Sequence, residues 1–273
     1  MKKAIFLFTF LLLFSFSPAR AQVNDAAPPP AAAPVDETSD GKPKYEVQLQ
    51  YSEERLTRDL GVWRSASVYA ERRFADRQIV WGQYRASERR GERDQEFVAG
   101  LYRPLGKKWA VTTEAMFSPT RRYVGKFSVM GEAERQMGRG FVAHVGGRYT
   151  AYATVKAATA YGLVEKYWGN NRAAYTLYVT RLTRAGTAPT HRLQYNRYWG
   201  EHSNSVGAAV SYGREHESLG PNLGVLRSRT WSVSVSGRFW LSGKIGLNVD
   251  GLVHRQGDLY YRRGLNFGLR YRF

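Results

Sequence analysis

The C-terminal stretch Arg262–Phe273 constrains the fold of this chain more than any other segment. Leu265, Phe267, Leu269, Tyr271 and Phe273 are apolar, and the residues between them are polar or very small. This strict alternation predicts a β-strand with one apolar and one polar face. An aromatic residue at the end of such a strand is typical of a transmembrane β-barrel, whose last strand pairs with its first. The alternative is the edge strand of a soluble sandwich.

The same stretch carries a second pattern. Its members are a polar residue, a glycine and two aromatic residues at fixed spacing: Asn266, Gly268, Tyr271 and Phe273. This string looks like the C-terminal signal that the barrel-assembly machinery reads. We therefore expect that machinery to be a partner of the chain.

The N-terminus predicts export from the cytoplasm. Residues Met1–Ala21 contain Lys2 and Lys3, an apolar run from Ala4 to Phe16 and an Ala-x-Ala end. This is the form of a secretory signal peptide, and we expect cleavage before Gln22. The alternative is a membrane anchor, but the apolar run is about 13 residues long where a spanning helix needs about 20.

Residues 22–44 differ in composition from the rest of the chain. They are rich in proline and alanine, with several acidic residues, and they cannot bury a core. We expect a disordered periplasmic tether here and a barrel domain from Tyr45 to Phe273. The signal peptide and the tether nearly cancel in charge, so the barrel carries almost the whole net charge of +18.

Alternation of apolar and polar residues recurs from Tyr45 to the C-terminus. It predicts an all-β fold, a transmembrane antiparallel up-and-down barrel of about 14 strands, with 12 or 16 as alternatives. Short turns, most of which contain Gly or Asn, are predicted at 75–77, 106–108, 138–140, 169–171, 200–204 and 242–243. Longer polar loops are predicted between them, at 52–61, 87–94, 118–122, 183–189 and 214–226. This alternation is typical of periplasmic turns and extracellular loops.

Aromatic residues support the same fold. They make up 14% of the chain, with 18 Tyr and 7 Trp, an excess that suits a protein with two membrane interfaces. The residues that flank the short turns should form a girdle at one interface, and they are Phe74, Trp109, Phe141, Trp168, Trp199, Phe239, Trp240 and Phe273.

The segments Phe239–Leu241, Arg255–Gly264 and Tyr271–Phe273, together with Trp231, resemble the YaiO family of outer-membrane β-barrel proteins. The likeness runs from about Tyr45 to Phe273 and is most specific at the C-terminal end. It implies a barrel in the outer membrane of a Gram-negative bacterium. Similar barrels occur behind helical-repeat domains in polysaccharide secretion, which suggests glycan export, although this chain has no such repeat.

If the apolar face of each strand contacts lipid, the opposite face lines the lumen. The basic residues predicted there are Lys126, Arg148, Lys156, Lys166, Arg172, Arg192, Arg238, Arg270 and Arg272. An excess of fixed positive charge would favour anions. The alternative is an interior network of ion pairs, since Glu46, Glu96, Glu114, Glu132, Glu134 and Asp250 fall on the same face.

The predicted outer loops are also basic, with Arg227 and Arg229 among many others. Arginine pairs well with phosphate, so we expect contact with outer-membrane lipid and lipopolysaccharide. A basic soluble protein would suggest nucleic acid, but here the charge belongs to a barrel wall and its rim, so no nucleic-acid partner is expected.

No catalytic site is expected, and neither is a cofactor or a metal site. His216-Glu217-Ser218 and His202-Ser203-Asn204 could supply a histidine and a serine to a lipid hydrolase, but both read as polar connections. His144, His191 and His254 lie on different predicted strands without an acidic cluster. The sequence therefore predicts a porin-like pore for a polar or anionic solute, with export of an anionic exopolysaccharide as its most specific form. A closed adaptor barrel and an outer-leaflet lipid hydrolase remain as alternatives.

Overall fold

The computed structural model describes residues 45–183, 186–200, 204–220 and 224–273. These residues form fourteen β-strands in one closed antiparallel barrel in which every strand pairs with its neighbours in sequence. The strands are β1 (Tyr45–Leu56), β2 (Val62–Arg73), β3 (Ile79–Arg89), β4 (Glu92–Leu105), β5 (Trp109–Phe117), β6 (Phe127–Gly138), β7 (Phe141–Ala151), β8 (Lys156–Trp168), β9 (Asn171–Leu182), β10 (Gly186–Trp199), β11 (Asn204–Gly220), β12 (Gly224–Trp240), β13 (Ile245–Gln256) and β14 (Tyr260–Arg272).

The barrel closes where its first strand, β1, pairs with its last strand, β14. The amide of Tyr45 donates to the carbonyl of Phe273 at 3.0 Å, and the amide of Phe273 donates back at 3.0 Å. Their rings stack with centroids 5.5 Å apart. The fold class and the strand number predicted from the sequence are confirmed. The predicted signal peptide and tether lie outside the described residues.

The two faces of the wall have opposite chemistry. Large apolar side chains point outward and are exposed, such as Val145 at 66% and Leu193 at 56%. Polar side chains point inward and are mostly buried, as Glu165 is at 1% exposure. This inversion of soluble-protein packing suits a wall that contacts hydrocarbon on its outer face.

Tyr45 and Phe273 lie at one end of the barrel, which we call the terminal end, and we call the opposite end the loop end. The predicted short turns that fall within the described residues all lie at the terminal end. Of the predicted aromatic girdle, seven members there are exposed on the outer face. Trp240 differs, because the guanidinium groups of Arg270 and Arg272 lie 4.5 and 4.0 Å from its ring centroid.

The loop end departs from the prediction of long loops. Most of 87–94 is strand, and only Arg90 and Gly91 join β3 to β4, with positive φ angles of 52° and 80° as a tight hairpin turn requires. Much of 183–189 and of 214–226 is also strand, since β10 begins at Gly186, β11 runs to Gly220 and β12 starts at Gly224. The sequence predicted loops here because the part of a hairpin that extends beyond the bilayer needs no apolar face, so it lacks the alternation by which strands were recognised.

Candidate functional site

The strand registers show which charged side chains point into the lumen. The acidic residues on the inner face of the described strands are Glu46, Glu54, Glu71, Glu92, Asp94, Glu96, Glu114, Glu132, Glu134, Glu165, Glu215 and Asp250. The basic residues on it are Arg73, Arg85, Arg89, Arg148, Arg172, Arg192, Arg238, Arg262, Arg270 and Arg272. The two sets almost balance, so the described lumen wall lacks the expected excess of positive charge.

The inner charges are separated around the barrel. The wall formed by β9–β14 carries Arg172, Arg192, Arg238, Arg262, Arg270 and Arg272, with only Glu215 and Asp250 against them among its described side chains. The wall formed by β1–β8 is mainly acidic. A solute inside the barrel would therefore meet a basic wall on one side and an acidic wall on the other.

Six of the nine basic residues predicted to line the lumen do so: Arg148, Arg172, Arg192, Arg238, Arg270 and Arg272. Lys126 lies in the connection before β6 and is exposed. The prediction is wrong for Lys156 and Lys166, which point outward. The ammonium group of Lys166 lies 4.1 Å from the outward ring of Phe141.

The error on β8 has a simple cause. The prediction placed Ala157, Tyr161 and Leu163 toward lipid, whereas they face the lumen and Val164 faces outward. Apolar residues occur on both faces of this strand, so alternation alone cannot fix its register. A shift of one residue turns every side chain to the other face.

Several inner arginines are held in ion pairs. Arg172 contacts Glu165 and donates to the Asn196 amide oxygen at 3.0 Å. Arg148 lies 2.9 Å from Glu114. These pairs hold the strands of the wall together, as the alternative reading of the sequence anticipated.

Arg238 differs from these arginines. It is half-buried on the inner face, where its register partners on the flanking strands are Ser205 and Asn248. No acidic group lies within ion-pair distance of it in the described part of the chain. No neighbouring carboxylate of the described residues therefore neutralises its charge.

The connection between β5 and β6, residues 118–126, folds into the loop end of the lumen. Asp94, which is 0% exposed, accepts backbone hydrogen bonds from Arg122, Tyr123 and Val124 at 2.9, 2.8 and 2.9 Å. At its far end the segment passes Thr150, whose methyl group would lie 2.6 Å from a Cβ built on Gly125. Residues 118–126, which we call the inner loop, therefore cross part of the mouth from β4 to β7.

A stack of arginine and aromatic side chains continues this cover. The guanidinium of Arg89 lies 4.1 Å from the ring centroid of Trp63 and 4.8 Å from that of Tyr123. The guanidinium of Arg262 also lies near Trp63, 5.5 Å from its ring centroid. Burial raises the pKa of Tyr123, and it raises the pKa of Tyr152, in the next connection at this end, to about 12. Both side chains are half-buried.

The candidate hydrolase residues do not form a site in the described chain. His216 and Ser218 fall on β11, in an extended hairpin and not on an irregular loop. His202 and Ser203 lie outside the described residues, and the side-chain oxygen of Asn204 accepts a hydrogen bond from the Trp240 amide at 2.6 Å. Where the structure is described, no cluster of His, Asp and Glu could hold a metal ion.

The residues of the predicted assembly signal lie beside the closing seam. Tyr271 and Phe273 point outward, with ring centroids 5.7 Å apart. Asn266 points inward and donates to Asp250 at 2.7 Å. Gly268 pairs with Gln50 across the seam, and a Cβ built on it would lie 3.1 Å from the Gln50 side chain. Whether the assembly machinery reads these residues stays a prediction.

A closed fourteen-strand barrel with an apolar outer face and a charged interior defines an outer-membrane β-barrel protein similar to porins and channels. No helix in the described residues is both long and apolar enough to cross a membrane. The chain belongs to the YaiO membrane beta barrel domain family, which matches residues 44–218. The match confirms the family, although it ends before the C-terminal segments in which the resemblance was strongest.

Solved structures with a similar fold are outer-membrane barrels. A bacterial polysaccharide outer membrane secretin has a TM-score of 0.55 and 11% identity, covering 86% of this chain and 100% of that one. The CymD monoaromatic hydrocarbon channel has a TM-score of 0.57 and 9% identity, covering 85% and 88%. The Acinetobacter baumannii protein Omp33 has a TM-score of 0.52 and 15% identity, covering 84% and 98%. No curated protein matches the chain.

Proposed function

We propose that this barrel passes polar or anionic solutes across the outer membrane. The observation that carries the proposal is the divided lumen, basic along β9–β14 and mainly acidic along β1–β8. Fixed charges of opposite sign on facing walls produce a field across the lumen, and such a field orients dipolar and charged solutes as they pass. Selectivity would then depend on the position of individual arginines more than on net charge.

Export of an anionic exopolysaccharide is the most specific form of this proposal. It is supported by the family resemblance and by the likeness in fold to a polysaccharide secretin. Arginine binds carboxylates in bidentate geometry, and the arginines of β9–β14 offer that chemistry along one side of the lumen. The termini at the terminal end would place residues 22–44 in the periplasm.

A closed adaptor barrel is the second candidate function. The inner loop and the buried ion pairs favour it, because both fill space that a solute would need. In that case the barrel would bind a periplasmic or surface partner through its ends. The two candidates differ in whether current flows.

Single-channel conductance in a planar bilayer separates them. We expect the refolded protein to conduct, with a reversal potential in a salt gradient that reports preference for anions. Arg238→Gln should reduce that preference, because Arg238 has no ion pair in the described structure. Arg197→Gln is the matched control, since Arg197 is exposed on the outer face at the same end. Absence of current from protein shown to be folded by heat-modifiable gel migration would favour the adaptor barrel.

A further inference from the structure

The outer face of β11–β13 at the loop end carries a basic cleft of about 440 Å³. Its floor and walls include Tyr212, Trp231, Arg227, Arg229 and Arg255. The cleft lies outside the lumen, so the passage of solute does not account for it.

The cleft is layered in the order that a membrane interface requires. Val210 and Val233 pair across β11 and β12 and are exposed toward lipid. Next toward the loop end, Tyr212 pairs with Trp231, whose ring meets that of Tyr261 edge-on at 6.2 Å. Aromatic rings at this level are typical of the boundary between hydrocarbon and head groups. The residues one step further out therefore lie at the level of lipid head groups.

The layer above the aromatic rings is basic and contains a like-charge pair. Arg214 on β11 is the direct cross-strand partner of Arg229 on β12, and His216 is that of Arg227. Like charges directly opposite each other on one face destabilise a sheet. Neither Arg214 nor Arg229 has an acidic partner within the described residues. The pairing becomes favourable when an anion lies between the two guanidinium groups.

Arg255 lines the cleft below Arg229, and Arg214 lies beside the cleft on β11. Arg255 is the register partner of Trp231, and its guanidinium lies 5.6 Å from the ring centroid of Tyr261. One nitrogen donates to the Gly257 carbonyl at 2.8 Å, and another lies 2.6 Å from Asp258, which is almost fully exposed. The backbone thus fixes this guanidinium at the edge of the cleft, with further donors available.

The outward arginines of β1, β2 and β4 at the loop end are different. Arg55 and Arg64 both pair with Glu53, at 3.0 and 3.3 Å, and Arg93 pairs with Glu88 at 2.9 Å. Arg214 and Arg229 thus have no carboxylate beside them in the described structure, whereas the loop-end arginines of β1, β2 and β4 do. The cleft on β11–β13 is therefore specialised.

We propose that this cleft binds the phosphate groups of a phosphorylated glycolipid of the outer leaflet, of the lipid A type. The guanidinium groups of Arg214 and Arg229 hold a phosphate between them, and Arg255 reaches the sugar or a second phosphate. The acyl chains descend past Trp231 and Tyr212 onto the apolar wall. Bidentate guanidinium–phosphate geometry provides the selectivity over zwitterionic lipids.

The test compares lipid A with its dephosphorylated form, using the refolded chain in detergent. Binding is measured by native mass spectrometry, and stability by the temperature at which heat-modifiable migration is lost. We expect wild type to bind lipid A at least about tenfold more tightly than the dephosphorylated lipid, since charge-assisted hydrogen bonds are lost. This comparison needs no variant, so it holds even if a variant fails to fold.

The Arg229→Gln substitution should have opposite effects on stability without and with lipid A, which a general loss of folding would not produce. Without lipid A, Arg229→Gln should raise the melting temperature, because it relieves the repulsion by Arg214. With lipid A, the same variant should lose at least about tenfold in affinity and most of the lipid-induced stabilisation. Arg64→Gln is the control, and it should retain wild-type affinity because Arg64 is already paired with Glu53.

Three results would overturn the proposal: equal binding of the dephosphorylated lipid, an equal loss of affinity in Arg64→Gln, or no stabilisation of Arg229→Gln in lipid-free detergent. Inorganic phosphate serves as a separate probe. If millimolar phosphate alone reproduces the stabilisation by lipid A, the cleft is a site for free phosphate and the assignment to a lipid is wrong.

Discussion

Removal of the Asp94 carboxylate should release the inner loop from the mouth of the barrel. Asp94 is fully buried and accepts three backbone hydrogen bonds from residues 122–124. A hydrogen bond to a charged group contributes about 1.5 kcal/mol net at the lower end of the usual range, so the three together stabilise docking by roughly 4 kcal/mol. Asp94→Ala should therefore shift the equilibrium toward the undocked loop by about 10³-fold.

The absence of cysteine from the chain makes this shift measurable. A single Val124→Cys substitution places a thiol on the half-buried part of the inner loop without removing its amide. We expect a membrane-impermeant maleimide to label Val124→Cys slowly, and to label Val124→Cys with Asp94→Ala more than tenfold faster. The ratio is a lower bound on the shift, since labelling cannot exceed the rate of an exposed thiol.

Asp76→Ala is the matched control for this experiment. Asp76 also accepts hydrogen bonds through its carboxylate, but only from Gln78 in an exposed turn at the terminal end. The reasoning is refuted if Asp94→Ala leaves the labelling rate unchanged in folded protein, or if Asp76→Ala raises it equally. Conductance provides a second readout, since release of the inner loop should increase the unitary current of an open pore.

Two further substitutions test the packing of the lumen. Gly100→Ala should destabilise the barrel by about 1–3 kcal/mol, measured by urea unfolding from lipid vesicles, because a Cβ at this position would lie 2.1 Å from the Trp81 ring. Gly131→Ala is the control, and it should cost less than half as much because a Cβ there would have no atom within 4 Å. Glu165→Gln should cost about 3–5 kcal/mol in the same assay, because it leaves the buried charge of Arg172 without its partner. A loss below 1 kcal/mol would show that water already reaches this pair.

The sequence was sufficient to predict the barrel fold, but it was not sufficient to predict which side chains line the interior. Fourteen strands could be predicted because each strand that crosses a bilayer must keep apolar residues on one face, a constraint that acts locally. The clear alternation at Leu265–Phe273 therefore fixed both the strand and its register. On β8, apolar residues such as Ala157 and Leu163 face the lumen, so the pattern was ambiguous and the direction of Lys166 was predicted wrongly.

The contacts at the mouth could not be predicted for a different reason. In sequence, Asp94 is 28 or more residues away from the backbone amides that donate hydrogen bonds to it. Polar loop residues such as Tyr123 give no signal of whether they point into the lumen or into water. Asp94 and Tyr123 are brought together by the closure of the barrel and by the path of the inner loop. Neither feature produces a periodic pattern of residues in the sequence.

The position of a charge on the barrel, more than its number, decides what it can do. The inner face nearly balances its arginines with carboxylates, because an unpaired charge in a narrow lumen is costly to bury. The outer rim has no such restriction, since water and lipid phosphates can neutralise it, and the cross-strand pair of Arg214 and Arg229 occurs there. The high net charge of the chain is therefore evidence about the membrane that surrounds the barrel. Evidence about a solute must come from single inner arginines such as Arg238.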